Sequence, residues 1–111
     1  MTEWVTVART GDIPPGHAAR IEIDGRPIAV FNVDGEFFAV DDTCSHAQAS
    51  LSEGELDLER CTIECPLHGS CFDLRDGEPL TLPAVEPVAV HALAIHDGLI
   101  QLVVAAAERT A

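Results

Sequence analysis

Four Asp-Gly pairs, Asp24-Gly25, Asp34-Gly35, Asp76-Gly77 and Asp97-Gly98, interrupt this chain between segments rich in Val, Ile, Phe and Leu. The tightest antiparallel hairpins need positive φ at both turn residues. Asp tolerates that conformation and Gly adopts it freely, so each pair predicts a hairpin. The segments RIEID, PIAVFNV, EFFAV, PVAVHALAIH and LIQLVV read as strands by their β-branched content, and EWVTVA near the start adds another. Only SLSEGELDLER shows partial helical spacing, and Gly54 interrupts it, leaving room for a short helical turn. The expected framework is all-β and antiparallel.

At 111 residues and 47% apolar content the chain can bury one modest core, so a single domain spanning 1–111 is expected, with the small tail 105–111 frayed. There is no basic, apolar, cleavable leader and no run near the ~18 apolar residues of a membrane span, which predicts a cytoplasmic protein. Six basic against 19 acidic side chains give a formal net charge of −13, which repels nucleic acid and anionic lipid and favours basic protein faces. A monomer is expected.

From about Asp41 to Asp73 the alternation gives way to a loop-rich stretch holding all four cysteines and two of the five histidines. An insertion of this kind needs something besides a large core to hold it, and a metal centre fits. Cys44-Ser45-His46 and Cys65-Pro66-Leu67-His68 form a C-x-H and a C-x-x-H pair, each offering one thiolate and one imidazole. A lone pair would say little. Two mixed pairs, the second followed by Gly69, identify Cys44, His46, Cys65 and His68 as the candidate ligands. Tetrahedral zinc would accept the same donors, although C-x-H suits zinc-finger spacing poorly.

The CSH and CPLHG motifs resemble the Rieske family of [2Fe-2S] proteins, and SCFDLRDGEPLTLPA is similar to the strand, hairpin and proline loop that follow the second ligand pair in small Rieske ferredoxins. The resemblance implies a β-sandwich or barrel base carrying a cluster-binding subdomain at about 41–73. It also implies one [2Fe-2S] cluster, with Cys44 and Cys65 on one iron and His46 and His68 on the other. Gly69 would permit close backbone approach and Pro83 would shield one side. With neutral histidines the charges of two ferric ions, two sulfides and two thiolates cancel, whereas four thiolates leave a dianion. Rieske centres accordingly span roughly −150 to +300 mV, against about −400 mV for plant-type clusters.

Cys71 matches no ligand position and reads as a packing residue; Cys61 shares the parity of Ile63 and Cys65 and reads as a buried thiol, with a Cys61–Cys71 disulfide left open. High-potential relatives brace their ligand loops with a disulfide, but Ala49 and Leu67 stand at its positions. Ser70 matches their serine donor near the cluster, while Phe72 replaces their tyrosine. A midpoint near the low end of the roughly −150 to +300 mV range is expected. His17, His91 and His96 read as ordinary histidines; the latter two have opposite parity on one predicted strand, so no separate two-histidine iron site of an oxygenase is expected.

The resemblance therefore implies an electron-transfer protein, not an enzyme. It would be a Rieske-type ferredoxin of a ring-hydroxylating dioxygenase system, passing single electrons from a flavin-dependent reductase to a terminal oxygenase. The alternatives are a small subunit of an assimilatory nitrite reductase, a Rieske protein of cluster assembly, or a structural zinc module. Asp41, Asp42, Glu53, Glu55, Asp57 and Glu59 flank the ligand loops and are expected to form an acidic docking surface around the electron exit.

Overall fold

The computed structural model describes residues 4–45, 48–67, 69–82 and 84–103. Among these, the strands are β1 (Val5–Arg9), β2 (Ala18–Ile23), β3 (Arg26–Val33), β4 (Glu36–Asp41), β5 (Glu55–Asp57), β6 (Thr62–Glu64), β7 (Cys71–Asp73), β8 (Ala92–His96) and β9 (Leu99–Val103). They form three antiparallel sheets in the orders β1-β9-β8, β2-β3-β4 and β5-β6-β7. The only helical structure among the described residues is two short 3-10 turns, Thr10–Asp12 and Leu51–Glu53. The second is the helical turn anticipated in SLSEGELDLER; Gly54 ends it and β5 follows. Among the described residues no helix is long and apolar enough to cross a membrane.

Three of the four Asp-Gly pairs form the predicted two-residue turns. Asp24, Asp34 and Asp97 have φ of 53°, 57° and 51°, each followed by a glycine that also has positive φ, and they join β2 to β3, β3 to β4 and β8 to β9. The Asp76-Gly77 pair is built differently. It closes a wider loop in which the Asp73 N–H donates to the Glu78 carbonyl and the Gly77 N–H donates to that of Asp73. Only Gly77 takes positive φ there, and a Cβ on it would lie 2.1 Å from the Val88 carbonyl oxygen, so both conformation and space demand glycine.

β3 explains the layering. Its residues from Ile28 to Val33 are all buried because neighbours cover both faces of the β2-β3-β4 sheet. On one face Ile28 and Val30, with Ala39 of β4, pack against Ile100 and Leu102 of β9 and against Ile13. On the other, Ala29, Phe31 and Val33, with Val40, pack against Leu51, Ile63, Phe72 and Leu74 of the insertion. The two outer layers thus pack on opposite faces of the central sheet, sorted by its alternation.

The predicted strand PVAVHALAIH is divided between sheets. Val90 bridges Val40, and the His91 N–H donates to the Ala39 carbonyl; from Ala92 onward the chain pairs with β9. His91 and His96 therefore do not share a regular strand. His91 is buried at the crossover, with Nε2 2.9 Å from Asp41 Oδ1, while His96 is exposed.

Candidate metal centre

Three loops meet at one end of the insertion. The first is a narrow hairpin over 42–51: the Leu51 N–H donates to the Asp42 carbonyl, Thr43 bridges Ser50, and the Cys44 N–H donates to the Ala49 carbonyl at 3.0 Å. Its base is held by the buried carboxylate of Asp42, which accepts the Ser52 N–H at 2.9 Å and the Ser50 hydroxyl and lies 3.3 Å from Arg20 Nε. In the second loop the Cys65 N–H donates to the Ser70 carbonyl at 2.7 Å and the Gly69 N–H donates back to the Cys65 carbonyl at 3.1 Å. Each hairpin thus carries a cysteine at its neck.

The third loop, around 80–87, clasps the other two. The Ser45 hydroxyl donates to the Glu86 carbonyl at 2.6 Å, and the Ala84 N–H donates to Ser70 Oγ at 3.1 Å. The Cys71 N–H donates to Thr81 Oγ1 at 2.9 Å, which fixes the start of the third loop beside β7. Leu67, Leu82 and Val85 are 57%, 78% and 74% exposed, so these loops present aliphatic side chains to solvent.

Cys44 and Cys65 are buried in the same apolar cluster, and no cysteine of the chain forms a disulfide. His46, His68 and Pro83 lie outside the described residues. Among the described residues no third metal-ligating side chain joins the two thiols. The donor chemistry still fits an iron–sulfur group. Two buried thiols, neither in a disulfide, sit at the necks of facing hairpins, and fully buried Ser70 uses its oxygen as an acceptor, leaving a hydroxyl proton without an acceptor among the described residues. A buried donor of that kind calls for a partner such as a cluster sulfur.

The remaining expectations separate clearly. Cys61 is buried with Ile63 and Cys65, just outside β6 at φ 58°, and burial pushes its thiol pKa up, so it is an inert packing thiol. Cys71 faces the opposite side of the small sheet, paired with Glu64, while Phe72 points to the core opposite Ile63. Opposite faces keep Cys61 and Cys71 from forming the disulfide left open by the sequence. Gly69 takes φ 78°, and among the described residues a Cβ on it would meet only Glu64 Oε2, at 3.4 Å. Within the protein, its conformation is what requires glycine.

Of the acidic residues expected at the docking surface, Asp42 is buried and Asp41 is partly buried and engaged by other side chains. Asp42 is the loop anchor just described. Asp41 accepts Arg26 Nε at 3.0 Å and Nη2 at 3.1 Å and lies against His91. Burial raises the Asp41 pKa, but the hydrogen bonds and charges of His91 and Arg26 outweigh it and hold the carboxyl below its ordinary value. Glu53, Glu55, Asp57 and Glu59 are exposed as expected. The anchoring roles of Asp42 and Ser45 were missed; the run Ser50-Leu51-Ser52, spaced to fold back on Asp42, was the available signal.

Comparison with known proteins agrees with this construction. Residues 3–93 match the Rieske [2Fe-2S] domain. The chain is 46% identical over 98 residues, 88% of its length and 91% of the relative's, to the 3-phenylpropionate/cinnamic acid dioxygenase ferredoxin subunit of Photorhabdus laumondii subsp. laumondii. Among solved structures, the ferredoxin of carbazole 1,9a-dioxygenase from Nocardioides aromaticivorans IC177 superposes with a TM-score of 0.86 at 34% identity, covering 89% of this chain and 95% of that one. A chain from a complex of reduced oxygenase and oxidized ferredoxin in carbazole 1,9a-dioxygenase gives 0.84 at 38% identity, covering 90% and 92%. With two buried thiols on clasped hairpins, a sequence match over 88% of its length and a fold match over 89%, this chain belongs to the Rieske [2Fe-2S] domain family.

Proposed function

We propose that the protein is the ferredoxin component of a ring-hydroxylating dioxygenase system, a cytoplasmic one-electron carrier between a flavin-dependent reductase and a terminal oxygenase. The observation that carries this reading is the 46% identity to a dioxygenase ferredoxin subunit across 88% of the chain. In this reading Cys44 and Cys65 hold one iron, His46 and His68 hold the other, and the whole chain is one domain with its cluster-binding part at about 41–73. The bound cluster would supply reversible one-electron chemistry. The protein's own groups do the rest: Ser70, whose Oγ accepts the Ala84 N–H, keeps a hydroxyl proton available to a cluster sulfur, and the clasp from Ser45 to Glu86 keeps the loops together. Leu67, Leu82 and Val85 limit water at the exit. Apolar Phe72 in place of a hydroxyl donor favours a low potential.

The direct test is iron and acid-labile sulfide analysis with EPR of the reduced protein. Two of each per chain and a Rieske signal are expected, with the signal abolished by His46→Ala or His68→Ala and retained in Cys71→Ala. A colourless protein carrying one zinc, as isolated from its native host, would overturn the reading.

A further inference from the structure

The insertion has a second feature, on the face of the β5-β6-β7 sheet turned away from the core. An open groove of about 660 Å³ runs along it. Leu56, Leu58 and Leu80 line it, and Leu58 and Leu80 are 43% and 55% exposed. Glu55, Asp57, Glu59 and Glu64 also line it, against the single guanidinium of Arg60. Volumes of this order take up one or a few side chains.

A second observation points to a ligand. Thr62 lies in the groove only 7% exposed, and among the described residues its hydroxyl has no hydrogen-bond partner. A buried hydroxyl without a partner is uncommon in a folded protein and is satisfied by something that enters from outside. One oxygen of Asp57 accepts the Glu59 and Arg60 N–H groups, which fixes this carboxylate at the rim. The groove reaches the cluster loops through Glu64, which precedes Cys65, and through Cys71, which follows Ser70.

We propose that this groove receives a cationic, partly apolar segment of the terminal oxygenase, a lysine or arginine flanked by an aliphatic side chain, and so docks that partner beside the cluster loops. The inference rests on the proposed function. Charge complementarity selects the occupant: four carboxylates around an aliphatic floor repel acidic segments and leave a purely apolar one facing desolvated carboxylates. Thr62 supplies the acceptor for the entering cation, which contributes orientation as well as charge.

The test compares two triple variants of the holoprotein that remove the same amount of charge. Glu55→Gln, Asp57→Asn and Glu59→Gln neutralise the groove, and the amide oxygen introduced by Asp57→Asn can still accept the two backbone N–H groups. Asp24→Asn, Asp34→Asn and Asp97→Asn neutralise exposed turn positions elsewhere, where Asn tolerates positive φ. At 0.1 M salt, where the Debye length is about 10 Å, the groove triple is expected to raise the Kd for the oxygenase about tenfold and the control triple by less than about threefold. Thr62→Val should weaken oxygenase binding about threefold, as loss of one hydrogen bond does. All variants should keep the wild-type visible spectrum and midpoint potential.

Equal effects of the two triples, full oxygenase affinity in Thr62→Val, or a loss confined to the reductase would overturn the groove assignment. Wild-type protein that neither binds the oxygenase nor reduces it would instead overturn the proposed function, and the groove with it.

Discussion

The two faces of β3 look onto two differently built halves of the molecule. On the Val30 face, β-sheet packs on β-sheet around a buried aliphatic centre: Ile28, Val30, Ala39, Ile100 and Leu102. On the Phe31 face the partner is an insertion whose strands β5, β6 and β7 have three residues each. Strands that short offer few ladder hydrogen bonds, so the loops around them are tied by side chains to backbone: Asp42 to Ser52, Ser45 to Glu86 and Ser70 to Ala84. The comparison teaches that rigidity in this fold has two sources. Both halves bury apolar area, and the insertion half adds polar groups satisfied one at a time.

That difference can be broken from either side, and the largest effects are expected there. Ile100→Ala removes a fully buried side chain between the two long sheets and should cost about 2–5 kcal/mol, lowering the thermal midpoint of the whole fold. Asp42→Ala leaves the Ser50 hydroxyl, the Ser52 N–H and the Arg20 guanidinium without their carboxylate, at a cost of about 3 kcal/mol. Its effect should be local. Hydrogen exchange should accelerate at the Cys44 and Leu51 amides while the β2–β3 amides keep their protection, and the cluster should be lost faster. Uniform acceleration across both halves in Asp42→Ala would show that the insertion and the base unfold as one unit.

A smaller effect sits at the seam, where Asp41 joins Arg26 of β3 to His91 of the crossover. The folded-state pKa of Asp41 is depressed, because His91 and Arg26 outweigh the opposing effect of burial. A depressed carboxyl stabilises the fold above its unfolded pKa, near 3.9, and that stability fades as pH falls through the folded value. Asp41→Asn should therefore be less stable than wild type at pH 7, with the gap closing below about pH 4. Circular-dichroism melts of both proteins across that range measure it, and a gap that is constant with pH would remove Asp41 from the acid response.

What was legible in the sequence follows the same division. The hairpins of the base could be read because Asp24-Gly25, Asp34-Gly35 and Asp97-Gly98 each satisfy a local conformational demand, and all three form the expected turn. Cys44 and Cys65 are singled out as candidate ligands by a short-range spacing, and the structure buries both at hairpin necks. The polar ties could not be read, since Ser45 and Glu86 are 41 residues apart and nothing local marks them as partners. Asp42 was misplaced on the surface, and the engagement of Asp41 was not seen, for a related reason. A carboxylate's burial depends on which distant groups the fold brings to it, here Arg26 and His91 for one and Arg20 with Ser50 and Ser52 for the other.

The smallest effect tests the clasp itself. Ser45→Ala deletes one hydrogen bond, from an exposed hydroxyl to the Glu86 carbonyl, which water can then satisfy, so the expected cost is about 0.5–1 kcal/mol. Global stability should hardly change, because that bond crosses only from the first ligand loop to the third. The third loop should nevertheless open more often. A cost near 1 kcal/mol corresponds to roughly fivefold faster exchange at amides whose protection depends on the clasp, and the Ala84 N–H, bonded to Ser70 on the far side, reports it. The Val88 N–H, held by the Gly77 carbonyl, serves as the internal control. If the Ala84 amide keeps its protection in Ser45→Ala, the two serines act independently, and the third loop is held from the second hairpin alone. If both amides lose protection together, the loop moves as a rigid piece with the Gly77 turn, and the tie at Ser45 contributes to the fold rather than to the site.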